Sequence, residues 1–173
     1  MRLRMRRNGM NTEIFVEKIS EDAILPAYAH DGDAGMDLYS VSDVVIAPGE
    51  TVLVHTGLKF AIPQGFEVQI RPRSGISLNT PLRIPNAPGT IDSGYRGEIC
   101  IIMENTSSDK YAQEPELLLS DKGNKKGPYH IRKGDRVAQM VVARYEQATF
   151  RITESVDAIG VDRAGGFGST GVS

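Results

Sequence analysis

The sequence is dominated by short runs in which apolar and polar residues alternate. In Phe66–Arg71 the side chains of Phe66, Val68 and Ile70 fall on one face, as in a half-buried strand. Turn signals such as Pro48-Gly49 separate the runs at spacings that suit a sandwich or a barrel. The pattern therefore predicts an all-β fold. Similar runs occur at 14–19, 52–60, 99–103 and 137–145.

Helical patterns are few in this sequence. Ser74 to Asn79 is predicted to form a short helical turn. Ala112 to Leu119 contains helix-forming residues, but Pro115 interrupts the stretch. We therefore expect at most one short helix in the all-β fold.

Composition limits the class of protein and its partners. With 173 residues, 40% hydrophobic and 24% charged, the chain suits one globular domain. A net charge of −2 and a pI near 5.9 predict no nucleic-acid partner, and no apolar run reaches the roughly 18 residues of a membrane span. Cys100 is the one cysteine, and it and three histidines show no zinc-site spacing. These features predict a cytoplasmic protein without a membrane partner.

The chain divides into three stretches by composition, the second of which contains a long polar loop. Residues 1–10 are an arginine-rich extension, predicted to be disordered and given no role, and residues 11–161 form the predicted domain. Within it, about 106–128 is a long polar loop with an apolar island at Leu117 to Leu119. The island favours docking of part of the loop, whereas the polar composition favours a tolerated insertion. Residues 162–173 form a glycine-rich tail, predicted to be flexible.

The segment Gly89 to Gly97 places a carboxylate, an aromatic ring and three glycines in a predicted hairpin. Glycines permit tight turns and close approach to a ligand. Asp92, between apolar Ile91 and the turn, is suited to orient a water or a sugar hydroxyl. An ordinary turn is the alternative, because Asp and Gly are common in turns.

Three further clusters in the body of the chain carry polar chemistry. In Ala34 to Leu38, Asp37 follows a glycine and is suited either to hold a metal through water or to cap a turn. Arg71 to Gly75 offers two guanidinium groups and a hydroxyl to a phosphate. In Arg136 to Met140, Gln139 is a polar residue in an otherwise apolar predicted strand, where a buried amide needs partners.

The tail carries the fifth cluster, Arg163 to Gly171. It contains no lysine, and only Val172 and Ser173 follow, so a P-loop is excluded. A segment that folds over a ligand is one interpretation, with Phe167 stacked on a base. A disordered glycine-rich end is the other.

The five clusters, in this order and spanning about residues 24–171, closely resemble the five motifs of trimeric dUTP pyrophosphatases, the dUTPases. The resemblance implies a jelly-roll subunit and a homotrimer with active sites at subunit interfaces, each closed by a neighbour's flexible C-terminal arm. It implies hydrolysis of dUTP to dUMP and pyrophosphate by water attack at the α-phosphorus. That reaction limits uracil incorporation into DNA and supplies dUMP for dTMP synthesis.

Roles for individual residues follow from the same resemblance. Asp92 is the expected general base and also touches the deoxyribose 3′-hydroxyl, while Tyr95 packs under the sugar where a ribose 2′-hydroxyl would clash. The hairpin backbone and Asn86 read uracil, because backbone groups can pair with its edge like a strand. The residues expected at uracil and sugar are Asn86, Gly89, Thr90, Ile91, Asp92, Tyr95 and Cys100.

The resemblance also assigns the phosphates and a metal. Mg²⁺ is expected on the triphosphate, reached by Asp37 only through a water. The tail is expected to take the γ-phosphate end and to cover the uracil with Phe167. The residues expected to bind the nucleotide's phosphates or to belong to the closing tail are Arg73, Ser74, Gly75, Gln139, Arg163, Phe167, Gly168, Ser169 and Thr170.

Two departures from the family pattern and two alternative functions accompany this assignment. The spacing from Arg163 to Phe167 is one residue shorter than the commonest form, and the polar loop is longer than in compact bacterial members. The first alternative is a dCTP deaminase-type enzyme of the same fold, against which Tyr95 and the Phe167 tail argue. The second is a non-catalytic nucleotide-sensing protein.

Overall fold

Twelve strands and one short α-helix make up the regular structure of residues 12–161, the part of the chain that the computed structural model describes. The helix α1 covers Ser74–Asn79, and a single 3-10 turn covers Asp109–Tyr111. This content confirms the all-β prediction with one short helix. The strands are β1 Phe15–Lys18, β2 Gly35–Tyr39, β3 Val44–Ile46, β4 Thr51–His55, β5 Leu58–Ala61, β6 Phe66–Arg71, β7 Leu82–Arg83, β8 Gly89–Ile91, β9 Cys100–Asn105, β10 Leu117–Leu118, β11 Tyr129–Ile131 and β12 Arg136–Arg144.

The strands form four small sheets around a shared core. The largest has the order β2-β12-β6-β8, and the others are β4-β9-β7, β10-β11-β3 and β1-β5. Pairing is antiparallel except between β10 and β11. No helix within residues 12–161 is long and apolar enough to cross a membrane.

Alternation along the strands produces the core. In β9 every second residue is buried, including Ile101 and Met103, and in β6 Val68 and Ile70 face the same interior. Burial on this face removes large aliphatic side chains from water, and this hydrophobic effect is the main favourable term in folding. Fully buried side chains also include Leu38, Ile46, Val54, Leu58, Leu82, Ile99, Tyr129, Ile131 and Val137.

The apolar run at 52–60 is two strands rather than one. Gly57 separates β4 from β5 with φ of +68°, a conformation that favours glycine. An added Cβ would lie only 3.0 Å from the Ser20 and Ala23 side chains. The buried Thr56 hydroxyl donates a hydrogen bond to the Ile99 carbonyl at 2.6 Å. This hydrogen bond holds the turn between β4 and β5 against the residues just before β9.

The Gly89 to Gly97 segment is not a simple hairpin. β8, at its start, pairs with β6, whereas β9, which follows it, pairs with β4 and β7. The expectation of a hairpin was therefore wrong, because the two flanking strands belong to different sheets. The segment instead crosses from one sheet to another.

Candidate active site

Asp37, on β2, joins two arginine side chains. Its Oδ1 accepts a hydrogen bond from Arg73 Nε at 2.9 Å, and its Oδ2 accepts one from Arg136 Nη1 at 3.3 Å. The Asp37 side chain is only 12% exposed, so both charge-assisted bonds are partly shielded from water. Three sequence clusters that are far apart in the chain therefore meet at one carboxylate.

Gln139 lies in the same region because β12 runs between β2 and β6. It is directly opposite Asp37 on one side and Arg71 on the other. Residues opposite one another in an antiparallel pair project from the same face of the sheet. Gln139 is half-buried. A polar row of Asp37, Gln139 and Arg71 therefore crosses the sheet.

A cavity of about 290 Å³ opens beside this row, next to α1. Three of its lining residues are cationic, and Asp135 is the acidic one. Ser74, the first residue of α1, is exposed. No atom lies within 4 Å of a Cβ added to its neighbour Gly75, so the space there is open. The arrangement suits a small anion. The lining residues are Arg73, Gly75, Ile76, Asn79, Leu119, Ser120, Lys122, Asp135 and Arg136.

Lys122 and Ser120 come from the long polar loop, which sequence reasoning left without a role. Leu117 and Leu119 pack against the core, so the apolar island is docked. The Asn124 N–H donates to the Asn79 carbonyl of α1 at 2.8 Å, which fixes the far side of the loop. Lys122 is therefore held at the cavity between two anchored points. The apolar island beside it was the sequence signal for this placement.

Asp92 follows directly after β8 and is exposed. The Tyr95 N–H donates to the Asp92 carbonyl at 3.0 Å, which closes a tight turn. Among residues 12–161, no hydrogen bond or ion pair engages the Asp92 carboxylate. This carboxylate is thus presented to solvent by a fixed backbone.

Tyr95 is held by contacts on the far side of this turn. Its hydroxyl donates to the Glu98 carbonyl at 3.1 Å, and its ring lies against Gly97. A Cβ at Gly97 would approach the Tyr95 Cζ to 2.6 Å, closer than real contacts allow, whereas nothing lies within 4 Å of one at Gly94. The absence of a side chain at Gly97 therefore sets the orientation of the Tyr95 ring.

The outer edge of β8 is available for a ligand. Among the described strands β8 is the last in its sheet, paired only with β6, and Thr90 is exposed while Gly89 is buried. The Asn86 Nδ2 amide would lie 3.2 Å from a Cβ at Gly89, so the Asn86 side chain packs over this glycine. An edge strand has backbone groups that can pair with another planar molecule.

Cys100 lies at the start of β9, opposite His55 of β4. Burial and the nearby charge of Glu98 raise the pKa of the Cys100 thiol to about 11. Burial disfavours the charged form of Glu98, but hydrogen bonds from His55 and from the Gly57 N–H outweigh it and lower the pKa of that carboxyl. Cys100 is therefore a neutral thiol near neutral pH. Its place in a uracil slot stays a prediction.

The Asp92 segment and the polar row lie at opposite ends of β6. Ile91 pairs with Val68 and Gln139 pairs with Arg71. Asp92 therefore falls level with Glu67, four residues from Arg71 along the same strand. At about 3.3 Å per residue this separates the two groups by about 13 Å. Within one chain, Asp92 and the polar row are therefore not adjacent. Arg163, Phe167, Gly168, Ser169 and Thr170 lie outside the described residues.

An exposed carboxylate just after an edge strand and a cationic cavity suit a hydrolase of small phosphorylated substrates. The chain belongs to the dUTPase family, whose model matches residues 21–114. This range contains Asp37, Arg73 to Gly75 and the whole Gly89 to Gly97 segment.

Individual relatives agree with this family. The chain is 45% identical over 161 residues to a deoxyuridine 5′-triphosphate nucleotidohydrolase of Solibacter usitatus, covering 92% of this chain and 96% of the relative. It is 43% identical to the Clostridium kluyveri protein of the same description, covering 92% and 98%. The dUTPase of Staphylococcus bacteriophage 80alpha, solved with dUpNHpp, superposes with a TM-score of 0.82 at 31% identity, covering 94% of this chain and 100% of that one.

Proposed function

We propose that the chain hydrolyses dUTP to dUMP and pyrophosphate by attack of water on the α-phosphorus. The observation that carries this proposal is the family match over residues 21–114, a range that includes the exposed Asp92 and the Asp37–Arg73 pair. Asp92 is the general base, since it is exposed and has no partner within residues 12–161 that would compete for a water. The reaction limits uracil incorporation and provides dUMP for dTMP synthesis in the cytoplasm.

Uracil pairs with the outer edge of β8. The free backbone of Gly89 to Ile91 offers donors and acceptors to the base edge, and the Asn86 amide lies over Gly89 beside it. Cytosine is rejected because the donors and acceptors on its edge do not match those of the β8 backbone. Its binding would leave buried polar groups unpaired. Cys100 lines the far side of the base.

Tyr95 excludes a ribose. Its ring packs under the sugar, so that a 2′-hydroxyl meets the ring instead of a hydrogen-bond partner. The ring is fixed by the Glu98 carbonyl and by Gly97. Selectivity for the deoxynucleotide therefore depends on the space that Gly97 leaves open.

Gly97→Ala should reduce this selectivity. The new Cβ forces the Tyr95 ring away and breaks its bond to Glu98, so we expect the ratio of kcat/KM for dUTP over UTP to fall about tenfold, or about 1.4 kcal/mol. The matched control is Gly94→Ala in the same turn, where an added Cβ meets nothing. Equal ratios in the two variants would contradict the role of Tyr95.

The triphosphate occupies the cationic cavity. Arg73, Ser74 and Gly75 contact the phosphates, and Gln139 supports the α-phosphate and the water. Mg²⁺ is the expected partner of the triphosphate and supplies charge neutralisation. Asp37 fits an indirect role toward this hard cation, because its two oxygens retain acceptor capacity beyond their bonds to Arg73 and Arg136.

Lys122 adds a loop-borne cation to this cavity. Lys122→Ala should raise KM for dUTP about threefold to tenfold with little change in kcat, since a solvent-exposed cation contributes about 1 kcal/mol to phosphate binding. Lys125→Ala is the matched control, because it removes the same charge from the same loop at a different cavity. The effect should shrink in high salt. If the Lys125 variant shows the same rise in KM, Lys122 has no specific role.

Each active site is shared between subunits of a homotrimer. Asp92 and Gln139 are both assigned to the α-phosphate and its water, and their separation of about 13 Å along β6 within one chain supports a site that a second copy completes. Exposed apolar residues near the end of the described chain, including Phe150 and Ile152, also support contact with another copy.

The direct test is to incubate the purified protein with each deoxynucleotide triphosphate and Mg²⁺ and to measure pyrophosphate and ammonia. We expect pyrophosphate from dUTP alone. Release of ammonia from dCTP would contradict the proposal and favour a deaminase. Light scattering after size-exclusion chromatography measures the subunit number independently.

A further inference from the structure

A histidine, a carboxylate and a thiol converge on the sheet face formed by β4 and β9. His55 Nδ1 lies 2.8 Å from Glu98 Oε2 and 3.5 Å from Cys100 Sγ. The three donor atoms all lie within 4.8 Å of one another. His55 and Cys100 are 45 positions apart in the sequence, which shows no zinc-site spacing. Antiparallel pairing of β4 and β9 brings the two residues opposite each other.

We propose that His55, Glu98 and Cys100 form a binding site for a borderline divalent cation of the Zn²⁺ type. This site is distinct from the Mg²⁺ expected on the nucleotide, because a thiolate and an imidazole select Zn²⁺ over Mg²⁺. It does not depend on dUTP hydrolysis.

The distances suit a tetrahedral ion. With bonds of about 2.0 Å to nitrogen and 2.3 Å to sulfur, tetrahedral ligands lie about 3.5 Å apart, which is the separation of His55 Nδ1 and Cys100 Sγ. The His55–Glu98 pair lies closer, at hydrogen-bond distance, and must open by about half an ångström to admit the ion. Water fills the fourth position, because the His55 side chain is 50% exposed.

The surroundings orient the carboxylate for this role. The Gly57 N–H donates to Glu98 Oε1 at 2.8 Å, which leaves Oε2 directed at His55. Hydrogen bonds of this kind to a ligand's second atom fix its direction and strengthen metal binding. The ion displaces the Cys100 thiol proton, which passes to solvent, and it binds His55 Nδ1 while the neutral imidazole carries its one proton on Nε2.

Cobalt binding tests the site in the untagged full-length chain without nucleotide. We expect one Co²⁺ per chain with a near-ultraviolet thiolate-to-cobalt charge-transfer band, displaced by Zn²⁺ but not by a hundredfold excess of Mg²⁺. Zn²⁺ affinity, measured against a chromophoric chelator, should fall at least tenfold in His55→Ala and in Cys100→Ser.

His130→Ala is the matched control. His130 also lies near two carboxylates, at 3.9 Å from Asp43 and 3.6 Å from Glu116, but no thiol lies beside it. Its replacement should leave Zn²⁺ affinity within twofold of the unaltered chain. The proposal is overturned if the unaltered chain shows no charge-transfer band, or if His130→Ala weakens Zn²⁺ binding as much as His55→Ala does. Neither outcome bears on dUTP hydrolysis.

Discussion

Replacement of Asp92 by asparagine is expected to lower kcat for dUTP hydrolysis by about 10²–10⁴-fold, the usual contribution of a positioned general base. The amide keeps the size of the side chain but does not accept a proton from the attacking water. The backbone turn that presents residue 92 uses its carbonyl and not its side chain, so the fold should be unchanged. Stopped-flow or steady-state release of pyrophosphate measures the effect.

Binding must be measured beside turnover for this variant. We expect the dissociation constant for dUTP to change little, because the contacts proposed for uracil and the phosphates come from other groups. Asp109→Asn is the matched control: it makes the same chemical change at an exposed aspartate of the 3-10 turn, and it should retain full activity. If the Asp92 variant binds dUTP and still turns over near the normal rate, Asp92 is not the base. A chain that binds dUTP but shows no turnover even with Asp92 intact would be a nucleotide sensor.

Strand content was predictable where alternation was unbroken. β6 matches the predicted Phe66–Arg71, because its apolar residues face one core without interruption. The 52–60 run was misread as continuous, since alternation does not show that Gly57 turns the chain with positive φ. The short strands β7 and β10 have only two residues each, which is too few to show an alternating apolar and polar pattern.

The sequence indicated which residue types belong to the site, but it did not show which of these residues contact one another. Asp37 and Arg73 were both recognised, yet the bond between them depends on how β2 packs beside the chain leading into α1. The expected hairpin around Asp92 was wrong because the sheet to which β9 belongs is set by pairing with β4, a strand far earlier in the chain. Lys122 and the His55–Cys100 pair required the same long-range information.

Ending the chain at Val161 is expected to reduce kcat/KM for dUTP by about 10²–10³-fold. The deletion removes a proposed phosphate-binding cation, Arg163, and a proposed stacking ring, Phe167. Stacking of a base on an aromatic ring contributes about 1–3 kcal/mol, and removal of one charge-stabilising donor at a reacting centre costs about as much or more. Twelve fully extended residues span at most about 40 Å, which sets the upper limit on the reach of the removed segment.

The shortened and full-length chains should have the same number of subunits by light scattering, because the deletion leaves residues 12–161 and their exposed apolar segment intact. Two single replacements separate the contributions of Arg163 and Phe167 to the loss of kcat/KM. Arg163→Lys keeps a cation but not the planar fork and should mainly lower kcat, whereas Phe167→Ala removes the cover over uracil and should mainly raise KM. Retention of more than a tenth of the normal kcat/KM by the shortened chain would contradict a catalytic role for the tail. Loss of the oligomer would instead assign residues 162–173 to assembly.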